Sequence, residues 1–179
     1  YKFIQNNKKT INLSKCAEVY QPKTISTKEL IEDGNYYVYG ANGIIGKYNS
    51  YNHESYQIAI ACRGSIGQIT YTLPKSWITG NAMVVNPHED FNYKEFLYYA
   101  FKTKPCNYLA SGSVQPQLTR ENLLLYEVPY TNDKEVAKFN DYAYSIRKLI
   151  MNNDCENINL KNIREFLLPL LINGQATIS

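Results

Sequence analysis

Alternation is the first signal along the chain. In YQIAIACRG, residues 56–64, Ile58, Ile60 and Cys62 interleave with Ala59 and Ala61. Period-two spacing predicts a strand, and apolar residues in both phases predict burial of both its faces. NYYVYG (35–40) is a second strand-like run, rich in aromatic and β-branched residues and bounded by turn formers. RGSIG predicts a turn from residues 56–64 into QITYTL, making a hairpin. Pro74 closes that strand, and SWITGNAMVVNP (76–87) predicts one more, stopped by Pro87. The period then changes. Asn92 and Glu95 are spaced as a capping box, followed by Phe96, Leu97, Ala100 and Phe101 at helical steps. SGSVQPQLTRENLLLYEVPY (111–130) predicts a polar loop, a helical turn from Thr119 and a last strand ended by Pro129.

A different pattern begins beyond Tyr130. Asn132 and Glu135 form another capping-box pair, and Val136, Phe139, Ala143, Ile146 and Ile150 repeat every three or four residues. NNDCEN (152–157) interrupts the repeat, and Leu160, Ile163, Leu167 and Leu170 resume it up to Gly174, a good C-cap. Residues 133–172 are thus expected to form two helical segments, the second kinked or ended by Pro169. The fold class is mixed α/β: a globular part over residues 1–130 built on a mixed sheet, then a long helical arm over 131–179. The arm could cover the domain's own sheet, or offer its seam of Phe139, Ile146, Ile150, Leu160, Ile163, Leu167 and Leu170 to a partner, a second copy of the chain included.

Composition narrows the class. The chain has 179 residues, 44% hydrophobic and 20% charged, which suits a globular protein rather than a disordered one. No apolar stretch approaches the roughly 20 residues of a membrane span, and no signal-peptide pattern is present, so a cytoplasmic protein is expected. Cys16, Cys62, Cys106 and Cys155 are scattered with no C-x-x-C, and only His53 and His88 stand beside them. Four reduced thiols and no metal site are expected. The net charge of +3 lies entirely within residues 1–130, and Lys2, Lys8, Lys9 and Lys15 form an acid-free basic run. Such a balance permits nucleic-acid binding without demanding it. The 17 tyrosines offer rigid area with a polar tip for recognition.

YGANGIIGKY (39–48) poses the sharpest question, because glycines at every third position and a Gly-Lys pair suggest a phosphate loop. The spacing fails. Ala41 stands where the first P-loop glycine belongs, Tyr48 replaces the magnesium-binding hydroxyl, and Ala41-x-Gly43-x-x-Gly46 lacks the first glycine of the dinucleotide fingerprint. Tight turns joining strands are the expected reading, with a nucleotide- or small-ligand-binding enzyme domain using residues 40–47 as the alternative. No catalytic set is legible either. Asn86-Pro87-His88 falls short of the Asn-Pro-Pro-aromatic loop of adenine methyltransferases, and nothing in the sequence places His53 or His88 beside Cys62 or Ser65 as base and nucleophile. A reading or docking module without cofactor is therefore expected.

The order of the motifs carries a resemblance. NYYVYGANGIIGKYN, IAIACRGSIGQI, WITGNAMVV, FLYYAF, LASGSVQPQLTRENLLLYEVP and LKNIREFLLPLLINGQ occur in that order. Together they resemble one half of a specificity subunit of type I restriction–modification enzymes: a target recognition domain followed by a helical spacer. The resemblance implies a non-catalytic chain that reads part of a split double-stranded DNA site. Its partners would be an adenine-specific methyltransferase (modification) subunit and a restriction subunit. It puts Gly40, Gly43, Gly46, Arg63, Gly64 and Gly67 on recurring turns, residues 111–117 in a recurring loop, and Asn157, Leu160, Arg164, Leu168 and Pro169 at the end of the spacer. A full subunit has two domains and two spacers, and this chain has one of each. Lys47 and Arg63 are the candidate DNA contacts, since arginine can bridge guanine O6 and N7. Gln115 and Gln117 could serve adenine likewise, with Ser113 in the same loop. A pure scaffold, in which only the helices matter, is the remaining reading.

Overall fold

The computed structural model describes residues 9–175; Lys2 and Lys8 of the basic run lie outside them. The chain divides into two units, one reaching to Asn140 and the other starting at Asp141. Among the described residues the first contains nine strands: β1 Thr10–Asn12, β2 Ala17–Tyr20, β3 Tyr36–Gly40, β4 Gly43–Tyr48, β5 Ile58–Ala61, β6 Ile69–Tyr71, β7 Trp77–Ile78, β8 Ala82–Pro87 and β9 Glu127–Pro129. Its helices are α1 Lys94–Thr103 and α2 Arg120–Leu124, and α3 Asp133–Ile172 starts in it.

The strands form three sheets rather than one. β2-β8-β5-β6 is wholly antiparallel, β4-β3-β7 contains one parallel pair, β3 with β7, and β1 pairs antiparallel with β9. SWITGNAMVVNP makes two strands, because the chain leaves β7 at Ile78 and enters the other sheet at Ala82. Asn52 grips β7 from the side: its side-chain amide donates to the Ile78 carbonyl and its Oδ1 accepts from the Ile78 N–H.

The two apolar phases of β5 explain the layering. Ile58, Ile60 and Cys62 enter the main core with Val19, Val85 and the α1 residues Phe96, Leu97, Ala100 and Phe101. Ala59 faces the opposite way, with Val84, Ala82, Tyr39 and Ile78, which joins the three-stranded sheet to the four-stranded one. The small residues of the second phase allow that close stacking.

The ends of α1 are held from afar. Asn92 does not cap it; the Oδ1 of Asn140 accepts from the N–H groups of Glu95 and Phe96 at 3.0 and 3.3 Å. The Glu95 carboxylate, freed from the capping box, is buried and accepts from the hydroxyls of Tyr56 and Tyr71. At the other end the buried Tyr126 hydroxyl sits 2.9 Å from the Ala100 carbonyl oxygen and 2.7 Å from that of Lys104. The Ala100 carbonyl also accepts from the Lys104 N–H at 2.9 Å, and the Lys104 carbonyl lies past the last turn, where a helix leaves such groups without an intrahelical donor.

Residues 133–172 form one helix, not two. Asn132 caps it, accepting from the Glu135 N–H at 3.0 Å. Nothing in NNDCEN removes a backbone donor, so polar side chains alone do not break the ladder. Pro169 does not end it either, since the helix runs on to Ile172. The stop comes at Gly174, whose φ of +67° lets its N–H reach the Leu171 carbonyl while Gln175 N–H reaches that of Leu170. That pair of bonds is a Schellman motif. Within the first unit Val136 is buried, and Phe139 packs edge-on against Phe96 and Tyr99. In the second unit Ile146, Ile150, Leu160, Ile163 and Leu167 are exposed, together with Leu149, Phe166 and Leu168, while Leu170 is half-buried.

Candidate nucleic-acid interface

Two loops meet at one edge of the four-stranded sheet. The first leaves β5 and turns through residues 62–68. Gly64 and Gly67 take φ of +68° and +80° there. Gly67 is also pressed against another segment: a Cβ on it would stand 3.0 Å from the Asn107 backbone nitrogen. No larger residue meets both demands. The second loop, residues 111–117, is closed by paired backbone bonds, Ser111 N–H to Gln117 O at 3.0 Å and Gln117 N–H to Ser111 O at 2.9 Å. Gly112 supplies the reversal with φ +107°. Asn122, whose own N–H is capped by Thr119, steadies the base by donating to the Leu109 carbonyl and the Ser111 hydroxyl.

A backbone bond from Leu118 N–H to the Cys62 carbonyl, 3.0 Å long, fastens the second loop to the first. That bond sets Arg63 beside Gln117, and Arg63 Nε donates to Gln117 Oε1 at 3.3 Å. The two loops line a cleft of about 660 Å³ whose walls include Arg63, Val114, Gln115 and Gln117. Three of the five candidate DNA contacts therefore share one cleft. Ser113 lies exposed in the same loop.

Lys47 lies elsewhere. It is on β4, half-buried, with its ammonium 5.8 Å from the centre of the Tyr37 ring, in a separate hollow lined by Leu30, Ile31, Ile44 and Ile45. The glycines around it are explained by packing. Residues 43–48 are a strand, joined to β3 by a turn at Ala41 and Asn42, so YGANGIIGKY is a hairpin rather than a chain of turns. Gly43 turns the corner at φ +103°, whereas Gly40 and Gly46 make room for Ile45 and Leu30. A phosphate loop needs a helix N-terminus behind it, and a strand stands there instead, so the nucleotide reading of residues 40–47 is not supported.

The candidate base and nucleophiles are engaged apart from one another. His53 is buried, with Nε2 2.9 Å from the Tyr20 hydroxyl and Nδ1 2.5 Å from Asn52 Oδ1, and burial lowers its pKa. Cys62 bonds to the Asn81 carbonyl through its thiol, and Ser65 is exposed in the first loop. Burial pushes the Cys16 thiol up to about 12 and Cys106 to about 11, which leaves them protonated at neutral pH. Cys155 is exposed, and all four cysteines are free thiols. Among the described residues no group of acids, histidines or cysteines could hold a metal ion, and no helix is long and apolar enough to cross a membrane.

Two neighbours of the cleft escaped the sequence reading. Arg120 borders an adjoining hollow that also contains Arg63 and Gln117, and its Nε donates to the Val19 carbonyl at 2.7 Å. Its place in a helical turn concealed it. Val114 stands 90% exposed in the second loop, where an apolar residue between Ser113 and Gln115 was the available signal.

A mixed α/β domain presents one arginine and two amide side chains from braced loops and is continued by a helix with exposed apolar residues. The chain belongs to the type I restriction modification DNA specificity domain family, whose model matches residues 5–139. It is 29% identical over 146 residues to the type I restriction enzyme HindI specificity subunit of Haemophilus influenzae, covering 79% of this chain and 31% of that protein. The fold resembles the S subunit of a type I restriction-modification system from M. genitalium, with a TM-score of 0.70 at 17% identity over 93% of this chain and 46% of that one. It also resembles the HsdS subunit from Thermoanaerobacter tengcongensis, with a TM-score of 0.54 at 13% identity over 90% of this chain and 44% of that one. The chain thus spans less than half the length of these relatives.

Proposed function

We propose that this chain serves as a specificity half-subunit of a type I restriction–modification complex, reading one part of a double-stranded DNA site. The residues up to Asn140 are the target recognition domain, and the helical residues beyond form the spacer. The chain performs no chemistry itself; an adenine-specific modification subunit and a restriction subunit act on the DNA it selects. The observation that carries this reading is the convergence of Arg63, Gln115 and Gln117 on one cleft in a member of a DNA specificity family. Arginine and glutamine are the side chains whose forked ends match guanine and adenine edges in the major groove. Lys47 contributes, in this reading, a backbone contact that positions the duplex without reading it.

A selection from randomised duplexes, using the complex formed with the modification subunit, tests the proposal. Enrichment of one motif is expected. Retention of DNA with no enriched motif would contradict it.

A further inference from the structure

We propose that Val114 reads the 5-methyl group of a thymine, so that Val114 and Gln115 together recognise one A·T pair; the proposal rests on the DNA-reading function given above. Val114 is 90% exposed. An apolar β-branched side chain held so far into solvent gains nothing for the fold, since no neighbour covers it. The loop that carries it is nonetheless firmly built. The paired Ser111 and Gln117 backbone bonds close it, Asn122 braces its base, and Gly112 and Pro116 flank the tip with restricted or special backbone geometry. The exposure of Val114 is thus a built presentation.

The neighbours name the ligand. Gln115 and Gln117 supply amide donors and acceptors beside it, and Arg63 supplies a cation in the same cleft. In the major groove an A·T pair offers adenine N6 and N7 to an amide side chain and, on the facing strand, a methyl group to an apolar one. Val114 and Gln115 both line the cleft, one with an apolar group and the other with an amide, the two chemistries that such a pair calls for. A cytosine or guanine edge offers no methyl, so the valine adds discrimination that the amides alone lack.

The test uses the complex with the modification subunit and duplexes carrying its mapped motif, in which each thymine of this domain's half-site is replaced singly by deoxyuridine. Uracil keeps the pairing and lacks only the methyl. For the wild-type complex one replacement is expected to weaken binding about fourfold, the worth of one buried methyl-sized group, and the others much less. Val114→Ala should weaken binding to the all-thymine duplex by a similar factor and abolish the penalty at that one position. Its melting temperature should match wild type, because the side chain has no packing to lose. Identical uracil penalties in both proteins, or a mapped half-site containing no A·T pair, would overturn the assignment while leaving DNA recognition intact. Failure of the wild-type complex to bind any motif duplex would overturn DNA recognition and the assignment with it.

Discussion

His53 is held at both ring nitrogens, by Tyr20 and by Asn52, in a buried site. Burial, with the Lys94 charge adding to it, lowers its pKa below the ordinary 6.5. The unfolded chain therefore binds a proton that the folded chain refuses. Stability should be complete above about pH 6.5 and decline as pH falls from there towards the lower folded value. Thermal melts between pH 7.5 and 5 should show that slope, and His53→Gln should flatten it; an unchanged slope in the variant would assign the loss to other groups. For Arg63 we propose a role on the DNA rather than in the fold. Arg63→Ala should cost about 1–3 kcal/mol of binding to the preferred duplex and relax selectivity at one position, measured by competition against single-base variants. An equal loss on every sequence would make it a phosphate contact instead. Arg63, Gln115 and Gln117 became candidates through the ordered motifs, whose resemblance puts them on recurring loops, and through forked side chains that suit base edges. Their meeting was not legible, because it depends on the Leu118-to-Cys62 backbone bond between segments distant in sequence.

Among the elements, α1 shows how far periodicity reaches. The spacing of Phe96, Leu97, Ala100 and Phe101 foretold its buried face, while the expected local cap proved wrong. Tertiary partners replaced it: Asn140 at the N-terminus and the Tyr126 hydroxyl at the C-terminus. A sequence pattern within one turn cannot reveal a cap supplied from Asn140. Tyr126→Phe keeps the ring in the core but withdraws the hydroxyl from two carbonyls, and should destabilise the domain by about 1–3 kcal/mol in urea unfolding. No change in the unfolding midpoint would show that the Lys104 carbonyl finds water instead, since that of Ala100 keeps the Lys104 N–H. The helix α3 failed the expectation of a break at NNDCEN for a related reason. Asparagine and aspartate lower helix propensity by fractions of a kcal/mol, whereas only proline withdraws a donor and clashes, and even Pro169 sits within the last turns without ending the helix. Strand-like runs were readable one by one, but their division among three sheets follows from which apolar phase stacks on which, a property of the packed core.

For the whole molecule, the stretch of α3 from Asp141 to Ile172 spans about 48 Å at 1.5 Å per residue and exposes a succession of large apolar residues, Leu160, Ile163 and Phe166 among them. Each would gain roughly 1.5–3 kcal/mol by full burial against a partner. We propose a second copy or the modification subunit as that partner. Sedimentation over a range of concentrations should reveal self-association or co-migration that Leu160→Asp abolishes; a strictly monomeric chain whose Leu160→Asp variant binds the modification subunit as well as wild type would contradict it. We propose more narrowly that the domain up to Asn140 selects the DNA sequence. Methylation mapping measures it most directly, with the chain co-expressed beside its modification subunit and adenine methylation read across a whole genome. One methylated motif is expected with the wild-type chain, and with Gln115→Ala a motif relaxed at a defined position. Methylation of the same motif by the modification subunit in the absence of this chain would contradict it.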